Sequence, residues 1–150
     1  MIRLKRLLEV KSTKAAGILA VASDTKRFLL GLRSQYISEG NTWGIPGGKM
    51  DPNERDPIST AIREFKEETR FNGPIKPIPA YIYKGNSITY YNFIAVVQNE
   101  FKAYPDWETE RFGWFTLKEI QGIKNLHTGV EVLLGNSTTM NIINNILNGR

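Results

Sequence analysis

The apolar positions of this chain fall into short blocks separated by polar and glycine-rich stretches. Ala15–Ala22 (AAGILAVA) and Phe28–Leu32 (FLLGL) are continuous apolar runs of buried-strand length, and Asp24-Thr25-Lys26 supplies a turn between them. Ser38-Glu39-Gly40-Asn41 reads as a polar loop. Trp43-Gly44-Ile45-Pro46-Gly47-Gly48 follows. Two glycines after a proline require a backbone that bends or comes close to another group. Further strands are predicted around Ile75–Lys84 and Ser87–Gln98. A short one is predicted at Phe112–Leu117, after an acidic and aromatic loop at Tyr104–Arg111. Helical spacing returns near Val130–Leu134 and Met140–Leu147. Strands mixed with a few helices predict an α/β or α+β layered fold. No internal repeat or low-complexity linker divides the chain, so one domain is expected over residues 1–150.

The strongest helical pattern runs from Pro57 to Phe71. Asp56 suits the N-cap and Pro57 the first helical position. Ile58, Ala61, Ile62 and Phe65 recur at i, i+3, i+4, i+7, and Asn72-Gly73-Pro74 supplies the stop. On a wheel of about 100° per residue, these residues and Thr69 make an apolar side. Glu64, Glu67 and Glu68 stack on a stripe roughly 120° away, and Arg63, Lys66 and Arg70 fill a third sector. Like charges at i, i+4 destabilise a helix by roughly 0.2–0.5 kcal/mol, so an offsetting partner is expected. A hard divalent cation suits three carboxylates, and Mg²⁺ takes carboxylates together with substrate phosphates. For these three residues taken alone, a solvated acidic face is the plain alternative.

Composition narrows the choice. The 150 residues include 20 Lys and Arg against 15 Asp and Glu, a net charge of +5. That length can bury a sizeable core, and 3 Trp, 6 Tyr and 7 Phe argue against disorder. The absence of cysteine excludes a disulfide scaffold, a Cys-ligated zinc site, an iron–sulfur cluster and a Cys nucleophile. No apolar run approaches the ~18–20 residues that span a bilayer. Met1–Lys11 mixes charge into its apolar positions, unlike a signal peptide, so neither a membrane partner nor export is expected and the cytoplasm is the default. The positive charge favours an anionic ligand by long-range attraction, though it serves solubility equally well. No basic tract or basic–aromatic cluster supports nucleic acid as a partner.

Read together, Gly48, Glu54 and the segment Arg63-Glu64-Phe65-Lys66-Glu67-Glu68-Thr69-Arg70-Phe71 resemble the Nudix box, G-x5-E-x7-R-E-U-x-E-E-x-G-U with U a bulky apolar residue. The Trp43–Lys49 segment is similar to the strand and turn that lead into it. The pattern departs from the box in two places. Eight residues separate Glu54 from Arg63 instead of seven, which bears on Glu54, and the loop before Pro57 can absorb the extra one. Arg70 stands where the family has Gly, a residue that serves the left-handed helix end. The helix is therefore expected to run on to Asn72-Gly73.

The resemblance implies an α/β/α sandwich around a mixed β-sheet, with residues 47–71 as a loop–helix–loop motif. It implies a hydrolase that uses Mg²⁺ or Mn²⁺ to cleave the pyrophosphate linkage of a nucleoside diphosphate joined to another moiety. ADP-ribose, dinucleoside polyphosphates and nucleoside triphosphates are the substrate classes. By position, Glu67 and Glu68 would ligate metal, with the Gly47 carbonyl as a further ligand. Glu64 would hold metal-bound water or act as base, and Arg63 would orient the glutamates. The chemistry asks for such residues, because a diphosphate is already anionic and cations must neutralise it and activate a water. A further base or ligand is expected beyond the box at Glu108 or Glu110, with Glu110 preferred. Arg33 and Lys49 are candidates to meet a substrate phosphate. Trp43, Tyr90, Tyr91 and Trp107 could stack a base or simply fill a core. His127, the only histidine, reads as structural. The expected partner is a small nucleotide, and a homodimer stays compatible with the sequence. The alternatives are a Nudix-fold module that senses a nucleotide without cleaving it, and a pyrophosphohydrolase of RNA 5′ ends.

Overall fold

The two continuous apolar runs form the centre of the molecule. A computed structural model describes residues 13–149; the Met1–Lys11 segment read above lies outside the described residues. In chain order the strands are β1 (Thr13–Ala22), β2 (Phe28–Arg33), β3 (Trp43–Gly44), β4 (Gly47–Lys49), β5 (Ile78–Lys84), β6 (Ile88–Val97) and β7 (Thr109–Phe115). The helices are α1 (Pro57–Thr69), α2 (Leu117–Gln121), α3 (Thr128–Leu134) and α4 (Ser137–Leu147). β1 is apolar from Ala15 onward because both of its faces are covered there. Ala16, Ile18 and Ala20 pack with Ala61 and Phe65 of α1, whereas Leu19 and Val21 pack with Ile120, Leu133 and Ile143 of α2, α3 and α4. Helices on both faces of the sheet give the α/β/α sandwich.

The sheet is mixed. β1 and β6 run parallel from Thr13↔Ile88 to Ala22↔Val97, and every other pairing between these strands is antiparallel. β5 borders β6 at one end, where an edge strand tolerates Pro79 beside an irregularity in pairing. β1 and β2 pair only at Val21↔Phe28. Their remaining facing stretches pair with other strands: β3 joins β2 at Gly31 and Leu32, and β4 joins β1 at Ala15–Gly17. The glycine-rich turn therefore crosses from one half of the sheet to the other, and it carries the candidate site with it.

Three expectations change. β7 begins at Thr109, inside the predicted loop, because Thr109 and Arg111 pair with Arg33 and Leu32 across a bulge. The short α2 was not anticipated, although Thr116 and Glu119 form a capping box that is written in the sequence as T-x-x-E. α1 does not run on to Asn72-Gly73. It stops at Thr69, and Arg70 takes the left-handed conformation itself, with φ 63° and its N–H bonded to the Lys66 carbonyl. No helix among the described residues is long and apolar enough to cross a membrane.

Candidate active site

α1 starts where the Asp56 side chain accepts the Ile58 N–H at 3.0 Å, with Pro57 as the first helical residue. Burying Phe65 against the sheet turns Glu64 and Glu68, one helical turn apart, towards the β4 backbone. The Gly47 N–H donates to Glu68 Oε2 at 3.3 Å. A Cβ on Gly48 would lie 2.5 Å from the Glu64 carboxyl carbon, so this approach requires glycine. Burial, reinforced by the nearby Glu64 charge, pushes the Glu68 carboxyl up to about 9. Burial also raises Glu64. Among the described residues no Lys or Arg forms an ion pair with Glu68.

Arg63 gathers the other acids. Its Nη2 lies 2.8 Å from Glu54 Oε1 and its Nε 3.1 Å from Glu54 Oε2, a bidentate pair. Nη1 donates to Glu64 Oε1 at 2.9 Å and to Glu67 Oε2 at 3.2 Å, and Nη2 also donates to the Lys49 carbonyl. The hydrogen bond from Arg63, helped by the Asp51 N–H, holds Glu54 down at about 2. The additional residue before the helix thus leaves Glu54 in reach of Arg63. The glutamate trio is divided: Glu64 and Glu68 stand together, and Glu67, with 60% of its side chain exposed, turns to Arg63 at the rim. Among the described residues no three acidic or histidine side chains converge to hold a metal ion. Glu64 and Glu68 nevertheless fit one. Two crowded carboxylates whose proton affinity is raised form a donor set in which a hard cation can replace the proton.

A cavity of about 740 Å³ opens beside this pair. Gly47, Arg33 and Lys49 line it. Arg33 is held by two hydrogen bonds to the Ser38 carbonyl, at 3.0 and 2.6 Å. Glu108 lines the cavity as well; Glu110, the preferred candidate, does not and is exposed on β7. The bulge explains the difference: Thr109 and Arg111 pair with the adjacent residues Arg33 and Leu32, so Glu110 between them is unpaired and the alternation of faces is broken there. Of the aromatic candidates only Tyr90 lines the cavity. Tyr91 packs into the α1-side core, Trp43 sits edge-on to Phe115 at 5.0 Å, and Trp107 is 73% exposed.

His127 is held by two partners. Its Nε2 lies 2.9 Å from Glu39 Oε2, its Nδ1 accepts the Gly129 N–H at the start of α3, and it lines the cavity. Burial lowers its pKa, against the raising effect of Glu39. The sequence reading missed Asn92, which is buried on β6 and lines the cavity. An amide beside the apolar run Phe93–Val97, in a strand where Asn is disfavoured, was the available signal.

The NUDIX domain model matches residues 11–133 of the chain. A putative 8-oxo-dGTP diphosphatase 3 from Mycobacterium tuberculosis is 30% identical over 125 residues, covering 77% of this chain. The matched region is 57% of that relative's length. Among solved structures, the Nudix hydrolase RenU from M. smegmatis aligns with a TM-score of 0.64 at 24% identity, covering 77% of each chain. A bifunctional NMN adenylyltransferase/ADP ribose pyrophosphatase from Francisella tularensis, complexed with AMP and a Mn ion, aligns with a TM-score of 0.63 at 19% identity. That alignment covers 89% of this chain and 45% of the other. At these identities the structural likenesses speak to the fold.

Proposed function

The chain belongs to the NUDIX domain family, and from that premise we propose that it is a divalent-metal-dependent hydrolase of nucleoside diphosphate derivatives, cleaving the pyrophosphate linkage to release a mononucleotide. The observation that carries this reading is the Glu64–Glu68 pair, raised in proton affinity, fixed at the glycine turn and open to a cavity of about 740 Å³. Glu64 and Glu68 would hold Mg²⁺ or Mn²⁺, with Glu67 and the Gly47 carbonyl as further ligands. The bound ion supplies charge neutralisation and an activated water. Arg63 positions Glu64, and Glu54 anchors Arg63. Arg33 and Lys49 bind phosphate oxygens from the cavity wall, and Glu108 stands on the same wall as a proton acceptor. The name of the 8-oxo-dGTP diphosphatase relative supports nucleoside triphosphates as candidate substrates, beside ADP-ribose and dinucleoside polyphosphates.

The test is incubation with a panel of nucleoside diphosphate derivatives and Mg²⁺ or Mn²⁺. Mononucleotide release is expected, and Glu68→Gln should lower it by about 100-fold or more. Tight nucleotide binding without turnover across the panel would contradict the hydrolase and identify a sensor.

A further inference from the structure

The floor of the cavity can be followed strand by strand. Asn92 on β6 pairs with Gly17 on β1, and Gly17 pairs with Gly47 on β4. Two strand spacings therefore separate Asn92 from the peptide that holds Glu68, roughly 10 Å. Neither Gly17 nor Gly47 can carry a side chain, because a Cβ would collide with the backbone oxygen of Pro46 or of Ala16 as well as with the Tyr90 hydroxyl. The floor between the acids and Asn92 is thus bare backbone with one phenol laid across it.

Beyond that floor the chemistry changes from anionic to aromatic. Tyr83 and Tyr90 are cross-strand neighbours on β5 and β6, and both line the cavity. Val130 and Val132 of α3 line it too. Asn92 is 6% exposed, and its Nδ2 donates to the Tyr81 carbonyl at 2.9 Å. A backbone carbonyl only accepts, so the amide must turn its NH₂ there, which leaves Oδ1 as the free end. Among the described residues Oδ1 has no hydrogen-bond donor. Oδ1 stays open to the cavity, so a ligand that covers it is favoured when it brings a donor and penalised when it does not. Flat aromatic faces around one polar atom suit a nucleobase.

We propose that Asn92 is the base-reading residue of the site. Its Oδ1 accepts an N–H from the pairing edge of a nucleobase lying against Tyr83 and Tyr90, while the pyrophosphate extends over Gly17 and Gly47 to Glu68. The inference rests on the nucleotide reading above and deepens it. A base that presents an N–H is selected over one that has none.

Calorimetric binding of AMP, GMP, CMP and UMP is to be compared with purine riboside 5′-monophosphate, whose base has no N–H donor on that edge. Wild-type protein should bind at least one of the four about tenfold more tightly than the donor-free analogue. Asn92→Leu should shrink that gap to less than about twofold. Tyr83→Ala, at a position 41% exposed and so tolerant of change, should weaken every nucleotide while keeping the gap. Equal binding of all five by wild-type protein would overturn the role of Asn92, and continued mononucleotide release would leave the hydrolase standing. No binding of any of the five, with no cleavage of the pyrophosphate panel, would overturn both.

Discussion

A methyl group at position 48 would stand 2.5 Å from the Glu64 carboxyl carbon, and the atoms that must give way belong to the far end of a flexible side chain. Gly48→Ala should therefore leave the unfolding free energy within about 1 kcal/mol of wild type while moving Glu64. A shift of that size lowers pyrophosphate hydrolysis by about 10–100-fold, measurable as kcat/KM. Glu54 separates structure from chemistry in the opposite way. Its carboxyl is held at about 2 against an ordinary 4.5, so it stabilises the fold fully above pH 4.5 and loses that contribution as pH falls towards 2. Denaturant midpoints of wild type and Glu54→Gln should differ at pH 7, converge below pH 4.5 and coincide near pH 2. Glycine spacing and the acid stripe were legible in sequence because both are local. The division of the trio into a buried pair and a rim residue was not, since it depends on which carboxylates the Arg63 guanidinium reaches.

α1 is held by what it buries. Phe65 is fully inaccessible, edge-on to Phe71 and Phe101, and Ala61 lies flat on the sheet beside it. Phe65→Ala should cost about 3–5 kcal/mol in chemical denaturation, and it should unseat Glu64 and Glu68 with the helix. The helix end stores strain instead. Arg70 occupies a left-handed backbone position at φ 63° that glycine adopts without cost. Arg70→Gly should raise stability by about 0.5–1 kcal/mol, whereas Arg70→Val should lower it. The start of α1 could be read from Asp56-Pro57 because capping chemistry is local. Its end could not, because the substitution of Arg for Gly looked like permission to continue. The Arg70 N–H on the Lys66 carbonyl and the Phe71 N–H on the Thr69 hydroxyl instead fix the stop at Thr69.

At the scale of the whole molecule the site is a meeting of distant segments. The glycine turn and α1 bring the acids, β5 and β6 bring Tyr83, Tyr90 and Asn92, and the segments around Ser38, Glu108 and His127 complete the wall. Periodicity located the central strands and one side of α1, and the box pattern pointed to the sandwich. Neither could show that Glu108 lines the cavity and Glu110 does not, or that Glu39 meets His127, because those facts depend on register and long-range pairing. The function proposed above requires of these segments a cation site at the head of the cavity. Mn²⁺ titration of the metal-free protein, followed by electron paramagnetic resonance, examines it most directly. Wild-type protein should take up Mn²⁺, Glu68→Gln should lose at least about tenfold in affinity, and Glu110→Gln should stay within about twofold of wild type. Equal Mn²⁺ affinity in wild type and Glu68→Gln would contradict the assignment of this carboxylate pair as the metal site.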